Sequence, residues 1–242
     1  MKRILVALSL SLLVAVSFVD SSLALQIDLF SDDFNDNVID PARWTADITG
    51  QGSVSEQNQR LEFTILGQSS PRHVYLQSAT FSAQNWTSID FTGQWAIPSP
   101  RTAEFDLFIH NADDPSEYFR VNYQSWGGPY LHLVDSGPRI FSVRRTPPGT
   151  LTDFLLLFTE TGWEYWENGM LVNSLPSSTM AGADNFYIRL GGWDYSYYPN
   201  QIIYYDTITV SAETTVVPEP ATLFLLGPSL LTFFGLRGRR HL

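Results

Sequence analysis

The sequence predicts an all-β domain, a sandwich of two antiparallel sheets, and three observations lead to this fold class. Apolar and polar residues alternate strictly along several segments, turn-forming residues recur between those segments, and no long segment between residues 25 and 216 has a helical period. Strict alternation means that one side of a strand is buried and the other is wet. Many short strands at a spacing of roughly ten residues are typical of a β-sandwich or barrel.

The individual strands follow from this alternation. The clearest one covers residues 89–97, where Ile89, Phe91, Trp95 and Ile97 share one side. Two more follow at 104–110 and 118–124, with Glu104 and Asp106 on the polar side of the first. Further strands are predicted at 61–65, 73–77, 130–134, 140–144, 154–158, 163–167, 170–172, 186–190 and 201–210.

Turn signals separate these strands at 127–129, 136–138, 147–149 and 168–169. Asn168-Gly169 is the sharpest of them, because a type I′ turn needs positive φ at both central residues and this pair tolerates it. It predicts a hairpin between 163–167 and 170–172.

The N-terminus has the features of a secretory signal peptide. Met1-Lys2-Arg3 is positively charged, residues 4–19 are almost entirely apolar, and Ser22-Leu23-Ala24 supplies small residues for cleavage after Ala24. An uncleaved membrane anchor is the alternative. The sequence therefore predicts a signal peptide at 1–24, a β-sandwich at 25–216 and a separate segment at 217–242.

The C-terminal segment has three parts: a Pro-Glu-Pro motif, an apolar run over 223–236, and a cluster of arginines. Proline breaks regular structure, the apolar run suits a short hydrophobic helix in a bilayer, and arginines stay on the cytoplasmic side. A buried core helix is the alternative. The residues that define the motif are Pro218, Glu219, Pro220, Arg237, Arg239 and Arg240.

This tail resembles the PEP-CTERM sorting signal of Gram-negative bacteria. The resemblance implies processing by an exosortase after export by signal peptidase. It also implies an inner-membrane intermediate and a final place at the cell surface or in the extracellular matrix. Because exosortases accompany polysaccharide production, exopolysaccharide becomes a candidate partner by association.

Charge and cysteine content exclude several functions. The chain has a net charge of −11, and between residues 25 and 216 nine arginines face twenty-three acids. Such a surface repels nucleic acid and anionic lipid. Cysteine is absent, which excludes thiol catalysis and cysteine-based metal sites.

Several short motifs resemble those of concanavalin A-like jelly rolls, a group that includes laminin-G-type domains and laminarinase-type glucanases. The opening Ser31-Asp32-Asp33-Phe34, the later Arg60-Leu61-Glu62-Phe63, the hairpin at Glu167-Asn168-Gly169 and the closing segment 204–210 carry the resemblance. It implies a jelly roll of two stacked antiparallel sheets, one of them with a concave face.

Laminarinase-type hydrolases place a nucleophile and an acid/base on one strand, in the pattern Glu-x-Asp-x-Glu or Glu-x-Asp-x-x-Glu. Here Glu104 and Asp106 supply the first two acids, but Phe108 or Ile109 takes the third position. Without that group, the strand offers no donor to protonate the leaving oxygen. The sequence therefore predicts that the protein is not an enzyme.

A binding function is the main prediction, because aromatic rings beside polar groups suit sugars. The polar strand faces could form the floor of a groove, with His110 and His132 solvated on that side. Ordinary packing of the aromatic residues is the alternative. The candidate ligand-binding residues are Trp126, Tyr130, Trp193, Tyr195, Arg120 and His132.

These observations predict an exported, non-catalytic module that binds exopolysaccharide or other glycans. The alternative is a divergent or degenerate glycoside hydrolase of the laminarinase type.

Calcium is the candidate cofactor. Asp206 precedes Ile208 and Val210 by an even number of residues and is expected on their buried side, where a carboxylate needs a partner. The jelly-roll resemblance implies that an acid at this place binds calcium with backbone carbonyls from near the N-terminus, and Asp33 is a second candidate ligand. The alternative is that Asp206 caps a bulge or bonds backbone amides.

Overall fold

The computed structural model describes residues 24–66, 72–98, 104–124, 129–137, 139–145, 148–176, 178–194 and 201–215. Sixteen strands lie in this part of the chain. They are β1 (Ala24–Asp32), β2 (Trp44–Thr49), β3 (Gly52–Gln57), β4 (Arg60–Ile65), β5 (Arg72–Ser78), β6 (Phe81–Ser82), β7 (Trp86–Ala96), β8 (Glu104–Asn111), β9 (Tyr118–Gln124), β10 (Tyr130–Asp135), β11 (Arg139–Arg144), β12 (Thr152–Thr159), β13 (Gly162–Glu167), β14 (Met170–Leu175), β15 (Asn185–Asp194) and β16 (Gln201–Thr215).

The strands form two antiparallel sheets of eight strands each. The first sheet has the order β14-β13-β12-β7-β16-β4-β3, and β1 pairs with β16. The second sheet has the order β11-β10-β9-β8-β15-β5-β2, and β6 pairs with β15. Neighbours in each sheet are often distant in sequence, as in a jelly roll, so the predicted all-β two-sheet fold is confirmed.

The core lies between the sheets and is rich in aromatic rings. Trp95 of the first sheet packs against Phe105 and Tyr123 of the second, with ring centroids 4.1 and 4.6 Å apart. These side chains come from the apolar sides of the alternating segments, as the sequence predicts. The second sheet therefore turns its polar residues away from the core.

One charged group also lies between the sheets. Glu167, 1% exposed, accepts hydrogen bonds from the hydroxyls of Tyr165 on its own strand and Tyr123 on the other sheet, at 2.9 and 2.7 Å. Arg145 approaches the second carboxylate oxygen at 2.6 Å. A buried carboxylate needs such partners, and here they tie the two sheets together.

The hairpin predicted at Asn168-Gly169 is confirmed. Both residues have positive φ, 48° and 71°, as a type I′ turn requires. The turn joins β13 to β14, whose pairing has one bulge between Tyr165 and Trp166.

The predicted inward position of Asp206 is wrong. The pairing of β16 with β7 is irregular between Tyr205 and Ile208, and both of these side chains are buried. A bulge adds a residue and changes which side chains face the core. Asp206 is therefore only half-buried and does not share the side of Ile208.

Contacts within the chain divide it into a unit spanning 26–214 and a second unit made of 1–25 and 215–242. The predicted signal peptide and the sorting motif with its hydrophobic helix lie outside the described residues, apart from Ala24. Within the described ranges, no helix is long and apolar enough to span a membrane.

Candidate active site

A continuous set of polar and aromatic side chains covers the side of the second sheet that faces away from the core, which we call the polar face. It follows from the alternation of β5, β15, β8, β9 and β10, whose other residues point into the core. Its members are His73, Tyr75, Gln77, Tyr187, Arg189, Gly191, Trp193, Glu104, Asp106, Phe108, His110, Tyr118, Arg120, Asn122, Gln124, Tyr130 and His132.

Asp106 is the centre of the polar face and its side chain is fully buried. Its Oδ1 accepts hydrogen bonds from Arg120 Nε at 2.7 Å and Asn122 Nδ2 at 2.8 Å, and its Oδ2 accepts one from the Tyr75 hydroxyl at 2.6 Å. Burial alone lowers the pKa of Arg120, but the Asp106 carboxylate outweighs this and raises it. Burial, followed by the same carboxylate, raises the pKa of Tyr75. Asp106 is thus a fixed, ion-paired carboxylate.

A glycine makes room for this arrangement. Gly191 lies between Tyr75 and Asp106 in the sheet and has a φ of +140°, which side chains with a Cβ rarely adopt. An added Cβ would lie 2.1 Å from the carbonyl oxygen of Val74 and 2.9 Å from Cδ1 of Tyr75. Because any larger residue at position 191 would collide with these atoms, glycine at this position allows the Tyr75 hydroxyl to reach Asp106.

The core supports the same region from behind. The Tyr205 hydroxyl donates to the carbonyl of Asp106 at 2.6 Å and accepts from the Gly191 N–H at 3.2 Å. Tyr205 is fully buried on β16 of the first sheet. The backbone beneath Asp106 is therefore held by both sheets.

Glu104 precedes Asp106 by two residues on the same face, and its side chain is 4% exposed. It accepts a hydrogen bond from the Trp193 indole and lies 3.9 Å from Arg120 Nη2. Arg120 thus faces both carboxylates. A ligand reaching Glu104 must move past the half-buried indole of Trp193.

The expectation that His110 and His132 are solvated is wrong. They lie on the polar side as predicted, but they are 9% and 3% exposed because neighbouring rings cover them. His110 stacks on Tyr187 at 4.7 Å, and His132 stacks on Tyr130 at 5.7 Å. Burial, with nearby arginines, lowers the pKa of each histidine to about 4, so both are neutral at pH 7.

Four of the six predicted ligand-binding residues lie on the polar face. Arg120 is bound to Asp106, Trp193 to Glu104, and His132 to Gln124 Oε1 at 2.9 Å. Tyr130 is half-buried beside His132. Trp193 lies in strand β15, which continues through Gly191 and Gly192. Trp126 and Tyr195 are outside the described residues.

Sequence analysis missed the contribution of Tyr75 and Arg189. The Arg189 guanidinium lies over the Tyr75 ring at 4.1 Å and pairs with Asp47. His73 binds the other oxygen of Asp47 at 3.0 Å, and this hydrogen bond is the largest cause that lowers the Asp47 pKa. The alternation of 73–77 marks Tyr75 as polar-side, but only the strand order brings it to Asp106.

The calcium candidates lie elsewhere. Burial raises the Asp206 pKa, Arg60 opposes this rise, and the nearby negative charge of Asp33 adds to it. Asp33 follows the end of β1, where a cavity of about 320 Å³ is lined by Ser31, Asp32, Asp33, Asp36, Val38, Asp40, Arg43 and Thr207. Among the described residues, no group of three or more acidic or histidine side chains is arranged to hold a metal ion.

Comparison with known proteins gives structural matches alone. No protein-family model matches the chain, and the search of curated proteins gives no match. The catalytic domain of an endo-1,3-β-glucanase (laminarinase) from Thermotoga petrophila is 14% identical, with a TM-score of 0.59 over 78% of this chain and 98% of that one.

Two further structures give the same result. An endo-β-1,3-glucanase from Pyrococcus furiosus is 11% identical, with a TM-score of 0.61 over 81% of this chain and 97% of that one. A laminarinase from Flavobacterium is 12% identical, with a TM-score of 0.59 over 76% and 99%. At such identities the likeness establishes a jelly-roll fold of the glucanase type.

These matches correct the prediction that the protein is not an enzyme. That prediction depended on Phe108 or Ile109 in place of a third acid, yet the structures named above are hydrolases whose fold this chain shares along most of its length. The non-catalytic assignment is withdrawn.

Proposed function

We propose that this domain is a divergent glycoside hydrolase of the laminarinase type that acts on a glucan-like substrate bound to the polar face. Glu104 is the attacking carboxylate and Asp106 is its positioning residue. The observation that carries the proposal is the pair of buried carboxylates two residues apart on one strand face, with Arg120 facing both.

The two carboxylates differ in what they can do. Asp106 already accepts three hydrogen bonds and has no exposed surface, so it holds Arg120 and Tyr75 rather than substrate. Residues i and i+2 of a strand are about 6.6 Å apart, so Glu104 lies close enough to gain from the same positive charge. An ionised Glu104 can attack an anomeric carbon, the first step of retaining hydrolysis.

The surroundings of this pair support sugar binding. Trp193 and Tyr130 are half-buried and offer ring faces, while Asn122, Gln124 and His132 on the neighbouring strands are buried and form the polar layer beneath them. Ring faces contact the apolar faces of a sugar while polar groups contact its hydroxyls. The fold shared with β-1,3-glucanases makes β-1,3-linked glucans the first substrates to try.

Turnover by the Glu104→Gln variant tests the proposal. The full-length protein is assayed for release of reducing sugar from laminarin and for hydrolysis of aryl β-glycosides of the same sugar. We expect the variant to lose at least about 100-fold in rate while glucan binding persists, because the charge is lost and the shape is kept. Absence of turnover by the wild type on every substrate would refute the proposal.

Glu164→Gln is a matched control. Glu164 lies on the first sheet and also accepts an indole N–H, from Trp166 at 2.9 Å. The control removes a carboxylate with the same kind of partner from the opposite sheet, so its turnover is expected to equal that of the wild type. Equal losses in both variants would assign the effect to folding and contradict the role of Glu104.

We also propose that the protein is exported, passes through the inner membrane and is sorted to the cell surface or extracellular matrix. The signal-like segment 1–24 and the Pro218-Glu219-Pro220 tail support this. Signal peptidase and an exosortase are the proposed partners, and exopolysaccharide is the proposed ligand at the cell surface or in the matrix. Mass spectrometry of the mature termini tests it: a product that retains Met1 and Arg240 would contradict export and sorting.

Calcium is proposed as a structural ion near Asp206 and Asp33. Burial and, less strongly, the negative charge of Asp33 raise the Asp206 pKa, and a cation beside both carboxylates would offset both effects. Backbone carbonyls would complete the oxygen shell. A melting curve recorded with and without chelator tests the proposal, and an unchanged midpoint would exclude a structural calcium.

A further inference from the structure

A cluster of aromatic rings continues the polar face beyond Asp106. It comprises Phe108, His110, Tyr118 and Tyr187, and we call it the ring cluster. Phe108 and His110 stack at 5.4 Å, His110 and Tyr187 at 4.7 Å, and Tyr118 meets Phe108 edge-on at 5.8 Å. The rings of Phe108, Tyr118 and Tyr187 are half-buried, so each keeps surface for a ligand.

The ring cluster adjoins the carboxylates directly. Phe108 is the next residue on this face of β8 after Asp106, about 6.6 Å further along the strand. The Arg120 guanidinium that binds Asp106 also lies over the Phe108 ring, 5.0 Å from its centre. A substrate attacked at Glu104 can therefore extend across Asp106 onto aromatic surface.

One buried polar atom in the cluster lacks a partner. His110 Nδ1 lies 3.3 Å from the carbonyl oxygen of Pro115, which can only accept, so Nδ1 carries the proton. His110 Nε2 then has a lone pair, and it has no hydrogen-bond partner among the described residues. A buried acceptor without a partner is costly, and a ligand with a hydroxyl group would satisfy it.

Whether the site can donate a proton to the leaving oxygen determines which kind of leaving group it can release. A sugar leaves as an alkoxide and needs an acid to protonate its oxygen, whereas a phenol leaves as a comparatively stable anion. The carboxylates on the described strands of this face are Glu104, Asp106 and the exposed Asp47, which is paired with His73 and Arg189. The turn between β8 and β9, which borders the ring cluster, adds Asp113, Asp114 and Glu117, whose carboxylates accept hydrogen bonds from Asn185, Ser116 and Asn111. The segments between 25 and 216 that lie outside the described residues contain no Asp or Glu in their sequence.

None of the three buried candidate donors, Asp106, His110 and His132, is suited to protonating the leaving oxygen. Asp106 would have to give up one of its three hydrogen bonds to carry a proton. Burial lowers the pKa of His110 and His132 to about 4, so at neutral pH each carries one proton, directed at Pro115 and at Gln124 respectively.

We propose that the ring cluster binds the leaving group of the substrate cleaved at Glu104, and that this leaving group is an aromatic alcohol of the phenol type. The inference rests on the proposed hydrolase function and specifies its substrate class. Its two supports are the aromatic floor at Phe108 and the pairing of every described carboxylate beside it.

The reaction balances without an added reagent. A Glu104 oxygen bonds to the anomeric carbon while the bond from that carbon to the phenol oxygen breaks, and the electron pair leaves with the phenolate. Water then attacks the same carbon, the ester to Glu104 breaks, and the released proton neutralises the phenolate. The net change is glycoside plus water to sugar plus phenol.

Aryl β-glycosides of a β-1,3-linked disaccharide test the inference, with dinitrophenol, nitrophenol and phenol as leaving groups and laminarin as the competitor. For the full-length wild type, we expect kcat/KM to fall at least about 100-fold from dinitrophenyl to laminarin, the usual contribution of a general acid. Azide should speed turnover by attacking the glycosyl ester. If laminarin reacts as fast as the dinitrophenyl substrate, the inference is overturned while the hydrolase proposal stands.

Two substitutions at Phe108, with variants elsewhere on the protein for comparison, locate the effect. Phe108→Leu should raise KM for aryl substrates several-fold, while Leu171→Ala, on exposed β14 of the other sheet, should leave it unchanged. Phe108→Glu puts an acid beside the leaving oxygen and should increase laminarin hydrolysis at least about tenfold. Unchanged kinetics in both Phe108 variants would overturn the inference, and loss of laminarin hydrolysis in His73→Gln would do so by identifying another donor. Wild-type protein inactive on all substrates would instead remove the hydrolase function itself.

Discussion

Replacing Asp106 by Asn should destabilise the fold markedly. The side chain has no exposed surface and receives three donors, one of which is the charged Arg120 at 2.7 Å. Asparagine presents its own N–H groups to those donors and removes the nearer of the two carboxylates that face Arg120. Removing one partner of a buried ion pair costs about 3–5 kcal/mol.

This loss translates into a large thermal shift. For a domain of about 190 residues, 1 kcal/mol corresponds to roughly 2–4 °C in the melting temperature. We therefore expect Asp106→Asn to melt about 6–20 °C below the wild type in calorimetry or circular dichroism. Asp153→Asn is the control, because Asp153 is exposed on β12 with Gln94 as its partner at 2.6 Å, and its effect should stay within about 0.5 kcal/mol.

A double variant separates the ion pair from simple loss of packing. Once Asp106 is neutral, replacing Arg120 by Met removes the charge that lost its nearer partner, so it should recover part of the lost stability. If Asp106→Asn melts within about 2 °C of the wild type, the carboxylate is not ion-paired in the folded protein. The positioning role assigned to it would then be untenable.

The remaining predictions concern pH, the core and one glycine. His110 and His132 have a pKa of about 4 when folded and about 6.5 when unfolded, so the unfolded chain binds more protons between these values. Urea titrations should therefore show stability complete above pH 6.5 and falling toward pH 4, by up to about 3 kcal/mol per histidine. Glu167→Gln should cost about 3 kcal/mol in the same assay, because it removes a buried charge from Arg145. Gly191→Ala should lower the melting temperature far more than Gly137→Ala, since both have φ +140° but only the first places a Cβ against neighbouring atoms.

The strands could be predicted from the sequence because each is defined locally. Period-two alternation identified β7, β8 and β9, and Asn168-Gly169 identified a hairpin whose φ angles agree. The strands β1, β2 and β3 were not predicted. Most residues of β1 and β2 are exposed, and the buried residue of β3 is the charged Glu56, so none of the three has a buried apolar face. Local patterns find strands that have one buried face and miss those that do not.

The position of Asp206 shows a second limit. Counting in twos from Ile208 predicts a buried carboxylate, but one bulge between Tyr205 and Ile208 changes the side that Asp206 faces. Bulges depend on how a strand pairs with its neighbour, here β7, and the residues of β16 alone do not specify that pairing.

The candidate site likewise depends on which strands are neighbours, and the residues of one strand do not specify this. The prediction that the protein is not an enzyme was made from one strand. Sequence analysis placed Glu104 and Asp106 on one polar side, which the structure confirms, and evaluated them on their own strand. The partners that give Asp106 its function, Tyr75 and Arg120, come from β5 and β9, and Tyr75 reaches it only across Gly191 of β15. The residues of β8 alone therefore indicate only whether the Glu-x-Asp-x-Glu pattern of laminarinases is complete. The structure instead shows a carboxylate pair next to aromatic surface, and the proposed cleavage of aryl glycosides is argued from that arrangement.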